Sequence, residues 1–212
     1  FLSVIVALAL CTFASVSLGQ QKVIAVQPLG KSLPAADVAL VKRALEAFTG
    51  MKVRVLKRLA LPRAAYYPPR RRYRGEKLLD FLVQKAPKDA SRVLGLTGVD
   101  ISTTKGRYKD WGILGLATMD GQTCVISAFR ARKKARSVLH ARQRLAKVAV
   151  HEIGHTLGLP HCPTRGCLME DARGKVATSD GEYDLCSSCR EKLQRWGHRI
   201  PAKPQIPWPR PR

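Results

Sequence analysis

The string His151–His161, HEIGHTLGLPH, constrains this chain more than any other feature in it. On an α-helix, His151 and His155 stand four residues apart, so both imidazoles project from one face within reach of one ion. Glu152 lies at the edge of that face, placed to take a proton from a metal-activated water rather than to bind the metal. Gly158 lets the helix stop and the backbone turn, which can return His161 to the same ion as a third ligand. Three nitrogen ligands leave a fourth position open, as a catalytic zinc requires and a structural zinc does not. Three of the five histidines of the chain fall within this string. The competing readings are a helix that carries histidines on a polar face, or Glu170 or Glu182 as third ligand in place of His161. His140 lies about 16 Å from His151 along the same helix and cannot share the ion.

The string continues into cysteines. Cys162 follows His161 directly, and Cys167, Met169, Cys186 and Cys189 come after it. Read as CPTRGC, CLM and CSSC, this segment resembles the archaemetzincins, a branch of the metzincin zinc metallopeptidases. That family joins HExxHxxGxxH to Cys-x4-Cys-x-Met and a downstream Cys-x2-Cys. The likeness is dense from Val150 to Leu193; upstream, LGLTGVDI and LGLAT are similar but less diagnostic.

The resemblance implies that His151, His155 and His161 hold a catalytic zinc, with Glu152 as general base and acid. It implies a second, structural zinc on Cys162, Cys167, Cys186 and Cys189, and Met169 in a turn beneath the catalytic ion. It also implies that the strand around Ile113–Thr118 is the sheet edge that pairs with an extended peptide. Other metzincins carry a Tyr two residues after the Met; here that position is Asp171, and no Tyr, including Tyr183, takes that role. In an oxidising compartment the four cysteines could instead form two disulfides. Cys124, in a strand pattern, reads as a small buried hydrophobe.

Strand patterns over 22–27, 51–56, 92–97, 113–119 and 123–129 are interleaved with helical patterns up to the long helix at 137–157. A hairpin turn at Asp120-Gly121 joins the last two strands. A Cys-rich, irregular part with a short helix at 188–196 follows. The expected fold is α/β: a metzincin-like catalytic domain with a twisted mixed sheet, an active-site helix carrying HExxH, and a small loop-rich, zinc-stapled C-terminal subdomain. The expected divisions are a signal peptide at 1–19, the peptidase domain at 20–198 with its zinc-binding part at 159–198, and a Pro-rich basic tail at 199–212. Met51 and Met119 are candidate core residues.

Phe1–Leu18 is apolar and uncharged and ends in small residues, so it reads as a secretory signal cleaved after Gly19, with an uncleaved anchor as the alternative. The expected location is secreted or periplasmic, with membrane contact only through that segment. At 45% apolar residues the chain is no disordered polymer. Its 38 basic against 15 acidic side chains leave +23, which points to an anionic partner. No acidic residue occurs between Asp120 and Glu152, a stretch rich in Arg and Lys. Arg144 and Lys147 precede His151 by seven and four residues, on the zinc-facing side, as substrate-cleft candidates that would favour acidic peptides. The bland alternative is a solvated basic surface. No ligand-spaced repeat and no basic-aromatic signature supports specific nucleic-acid binding. The expectation is a monomeric zinc metallopeptidase with two Zn2+ per chain, acting on peptides or proteins. Its rivals are a non-enzymatic basic zinc module for nucleic acid or anionic polymers, and an inactive peptide-binding scaffold.

Overall fold

The computed structural model of the chain describes residues 22–31 and 33–211, so the signal segment expected at 1–19 lies outside the described residues. The chain opens with β1 (Val23–Leu29), α1 (Ala35–Thr49) and β2 (Lys52–Val55). Two short strands, β3 (Tyr66–Tyr67) and β4 (Arg72–Arg74), lead into α2 (Gly75–Lys85) and β5 (Arg92–Thr97). Four strands follow: β6 (Ile101–Lys105), β7 (Tyr108–Ile113), β8 (Gly115–Ala117) and β9 (Thr123–Ser127). The remaining helices are α3 (Ala128–Ala131), α4 (Val138–Thr156), α5 (Thr178–Gly181) and α6 (Ser187–Arg195).

Five strands form one sheet in the order β2-β1-β5-β9-β8. All its pairs are parallel except β8 with β9, which form the hairpin expected around Asp120-Gly121. The period of two along each strand sends side chains to opposite faces. Ile24, Val26, Leu94, Leu96 and Ile126 face a core shared with Leu45 and Phe48 of α1 and Leu145 and Ile153 of α4. Ala25, Leu29, Val93 and Val125 face a second core with Leu78 and Leu82 of α2. Covering both faces is what parallel strands require. β8 closes one edge of the sheet, beside α4.

A second sheet, β3-β4-β6-β7, contains the β6–β7 hairpin that the sequence patterns did not mark. Met119, a candidate core residue, is 53% exposed instead, because it sits in the turn after β8. The tail at 199–211 is irregular, yet Trp208 is buried and stacks on Phe48 at 5.5 Å.

Several of the scarce acids sit in ion pairs with at least one partner buried. Asp37 accepts from Arg132 and Arg142, Asp100 is bridged to Arg72 and Arg130, and Asp180 accepts from Arg144. Each aspartate compensates guanidinium charge that burial would otherwise penalise. Among the described residues, no helix is long and apolar enough to cross a membrane.

Candidate metal centre

α4 is capped by Ser137, whose side chain accepts from the His140 N–H. It runs almost wholly buried from Arg144 to Thr156, which fixes the directions of its side chains. The helix stops at Leu157, and Gly158 takes φ 95°, a conformation that only glycine adopts cheaply. The Leu159 N–H returns to the Gly154 carbonyl at 3.0 Å, and the reversal carries His161 back over the helix end. The ligand atoms of His151, His155 and His161 all lie within 4.8 Å of one another.

The hydrogen bonds of the rings test whether this cluster suits a metal. Nδ1 of His151 lies 2.7 Å from the Leu168 carbonyl, and Nδ1 of His155 lies 2.7 Å from the Leu159 carbonyl. A carbonyl only accepts, so both Nδ1 atoms carry the proton and both Nε2 atoms present bare lone pairs. Those Nε2 atoms face each other at 3.0 Å. Two opposed lone pairs repel unless a cation lies between them, and carbonyl-oriented imidazoles are how zinc ligands are normally held. Burial, and then neighbouring His155, pushes His151 down to about 3, so it stays neutral and available as a ligand. Burial also lowers His155. The three histidines fit zinc.

Glu152 is buried beside the cluster, and burial pushes its carboxyl up to about 8. It packs against Gly115 of β8, where an added Cβ would lie 2.5 Å from Glu152 Oε1. The edge strand and the carboxylate therefore fit only because residue 115 has no side chain. Together they line a cleft of about 260 Å³, to which Trp111 and Arg173 also contribute.

Cys162, Cys167, Cys186 and Cys189 form a second cluster, again with all ligand atoms within 4.8 Å. All four are free thiols, with Cys162–Cys186 at 3.7 Å and Cys167–Cys189 at 3.8 Å, far beyond a disulfide bond. The N–H groups of Thr164, Met169 and Cys186 point at sulfur atoms of the cluster. Hydrogen bonding with Cys189, and then from the Cys186 and Met169 N–H groups, draws the Cys167 thiol down to about 5. Four sulfurs gathered this closely, with Cys167 drawn toward thiolate, are chemistry suited to tetrahedral zinc.

Residues 34–195 match the family model described as Peptidase family M54. The chain belongs to that family. It is 31% identical over 173 residues to an archaemetzincin of Halobacterium salinarum, covering 76% of this chain and 96% of the relative. The crystal structure of archaemetzincin from Methanopyrus kandleri superimposes with TM-score 0.74 at 30% identity, covering 87% of this chain and 99% of that one. The Archaeoglobus fulgidus archaemetzincin, solved with malonate, gives TM-score 0.67 at 30% identity, covering 80% of this chain and 99% of the other. This M54 chain is a zinc metallopeptidase of the mixed α/β archaemetzincin fold.

The structure brings most of the expected site residues of the peptidase together. Met169 is fully buried beneath Gly154, and its carbonyl accepts from the Cys162 N–H at 2.7 Å. Glu170 and Glu182, considered as third ligands, lie outside the histidine cluster; Glu170 accepts from the Gly166 N–H instead. His140 bonds Asp180 at 2.7 Å, away from the three histidines.

Arg144 and Lys147 require a correction, because neither reaches the cleft. Arg144 is buried against Asp180, and the Lys147 amine donates to the Ser179 and Glu182 carbonyls at 2.8 and 2.6 Å. They are on the His151 side of α4, but 179–182 covers that side of the helix. Gly115 lies within the substrate edge expected at Ile113–Thr118 but the sequence does not single it out, and it does not mark Trp111 as a site residue. Only the three-dimensional approach of β7 and β8 to α4 reveals them.

Proposed function

We propose that this M54 peptidase cleaves peptide bonds with Glu152 as general base and acid, and that its four cysteines hold a second, structural zinc. The carrying observation is the placement of Glu152, buried between the histidine cluster and Gly115 of the free sheet edge. Bound zinc supplies Lewis acidity, which makes water a usable nucleophile near neutral pH and polarises the peptide carbonyl. The unpaired edge of β8 offers backbone groups to an extended substrate, setting one peptide bond beside Glu152. Glu152 takes a proton from the attacking water and delivers it to the leaving amine. The Leu168 and Leu159 carbonyls hold the two helix imidazoles in the tautomer that this chemistry needs. The cysteine cluster fastens the loop carrying His161, since Cys162 is its direct neighbour.

Glu152→Gln in the zinc-loaded chain tests this reading. Metal content is expected to stay unchanged while peptide turnover falls about 10³-fold. Undiminished turnover with intact metal would remove Glu152 from the reaction. We further infer that the chain is exported and acts as a monomer on peptide or protein substrates. An N-terminus at Gln20 in protein recovered from its source, and a monomer mass by light scattering, are the corresponding checks.

A further inference from the structure

Behind Glu152 the cleft extends along α4 toward its N-terminus. Val148, Ala172 and Val176 line it, and its buried end is formed by Ser179 and Glu182, each 3% exposed. These residues adjoin Glu152, so a peptide bond held at Glu152 directs a flanking side chain into this recess. The apolar walls suit the methylene stem of a long side chain. Glu182 is 3% exposed, and among the described residues its carboxyl accepts no hydrogen bond and joins no ion pair. Lys147 satisfies the backbone carbonyl of Glu182 and not its carboxyl group. The Ser179 hydroxyl donates to the Val176 carbonyl at 2.7 Å, which leaves its oxygen free to accept. The inner end of the recess thus presents acceptors and lacks a donor for them.

We propose that this recess selects a lysine or arginine side chain next to the scissile bond, with Glu182 as the recognising group. The inference rests on the peptidase reading above and reverses the preference for acidic peptides expected from Arg144 and Lys147. Lys147 offsets part of the Glu182 charge, but its amine is held by the Ser179 and Glu182 carbonyls and does not line the cleft. The cations that do line it are engaged elsewhere or exposed. Arg130 is bound to Asp100 at 2.7 and 3.1 Å, and Lys105 and Arg173 are exposed, where solvent and salt screen them. Glu182 is almost wholly enclosed, and there one charge counts for more. Burial pushes its carboxyl up to about 8, against the pull of Lys147. A cationic guest relieves that penalty by pairing with the ionised acid. An apolar guest leaves the acid without a partner.

The test uses the full zinc-loaded chain and matched peptides that differ only at the residues flanking the cleavage point, carrying Arg, Lys, Leu or Glu. Turnover and calorimetric binding are measured on each. The expected result is kcat/KM at least about tenfold higher for the basic peptides, with Glu182→Gln reducing that ratio to near one while Leu-peptide cleavage persists. Equal rates, or a preference for Leu or Glu, would overturn the inference and leave the peptidase reading intact. If no peptide is cut, the peptidase reading fails, and binding decides the inference. Tighter binding of the basic peptides that Glu182→Gln abolishes supports it, and equal binding refutes it. A melting curve of Glu182→Gln matching the parent separates lost recognition from lost folding.

Discussion

Arg144 and Asp180 meet as a fork on a carboxylate, with Nε and Nη2 donating to the two oxygens at 2.6 and 2.7 Å. His140 Nε2 lies 2.7 Å from the same carboxylate, and Lys147 holds the carbonyls of 179 and 182. Four side chains thus fasten α5 and the chain after it to α4, one to three turns before His151. That segment also forms the inner end of the cleft, so the shape of the recess depends on this clasp.

Asp180→Asn should destabilise the fold by about 2 kcal/mol, because the guanidinium of Arg144 stays buried without its counter-charge. Arg144, Asp180's first partner, holds the carboxyl down to about 2. The folded-state pKa lies below the unfolded one, so this contribution is complete above about pH 4 and fades as pH falls toward 2. Urea unfolding of the parent and the variant should therefore show a gap at pH 6 that closes between about pH 4 and pH 2. A gap independent of pH would disprove this account of the clasp.

Gly115→Ala should cost about 10²-fold in kcat with zinc content unchanged. The new Cβ would meet Glu152 Oε1 at 2.5 Å and Cγ at 2.6 Å, and Glu152 is too enclosed to yield freely. The atoms that the new Cβ meets first all belong to Glu152, so the histidines are expected to keep their arrangement. Parallel metal analysis and kinetics are the check, and a loss of both zinc and activity would contradict it.

Trp208→Ala should lower stability by about 3 kcal/mol, or the melting temperature by about 10 °C. The indole is 4% exposed, stacks on Phe48 of α1 and donates from Nε1 to the Tyr183 carbonyl at 3.0 Å. It ties the C-terminal segment to the catalytic core and to the Cys-rich part together. A melting temperature within a degree of the parent would show that the tail contributes no packing.

The metal-binding residues were legible because their spacing is local. Helical geometry alone aligns His151 with His155, and one glycine-permitted reversal returns His161. The main sheet was legible wherever burial imposes alternation or continuous apolar runs, as in β5 and β9. The β6–β7 hairpin was not, since its apolar face is carried only by Ile101, Trp111 and Ile113 at the ends of a polar stretch, too few to show a period. Periodicity placed Arg144 and Lys147 on the correct side of α4. What covers that side is a contact with residues more than thirty positions away, which no local pattern encodes. The importance of Gly115 is hidden for the same reason, because a missing side chain leaves no mark until its neighbour is known.

The chain should hold two zinc ions that leave in separate steps. The histidine site opens on the cleft, so a moderate chelator should empty it first, abolishing peptide cleavage that added zinc restores. The cysteine site is closed and partly buried, and its ion should leave only with a thiol reagent or on unfolding. In the native, loaded protein Cys162, Cys167, Cys186 and Cys189 should resist thiol titration. Cys124 should stay silent until the chain unfolds, since full burial holds its thiol well above the ordinary range. Cys167→Ser should remove one zinc and, by loosening the loop that begins at Cys162, weaken zinc binding at His161 as well. Total metal measured beside thiol count decides the matter. One zinc per chain with four freely reacting thiols would eliminate the structural site, whereas two zinc with protected thiols and a two-step loss would establish it.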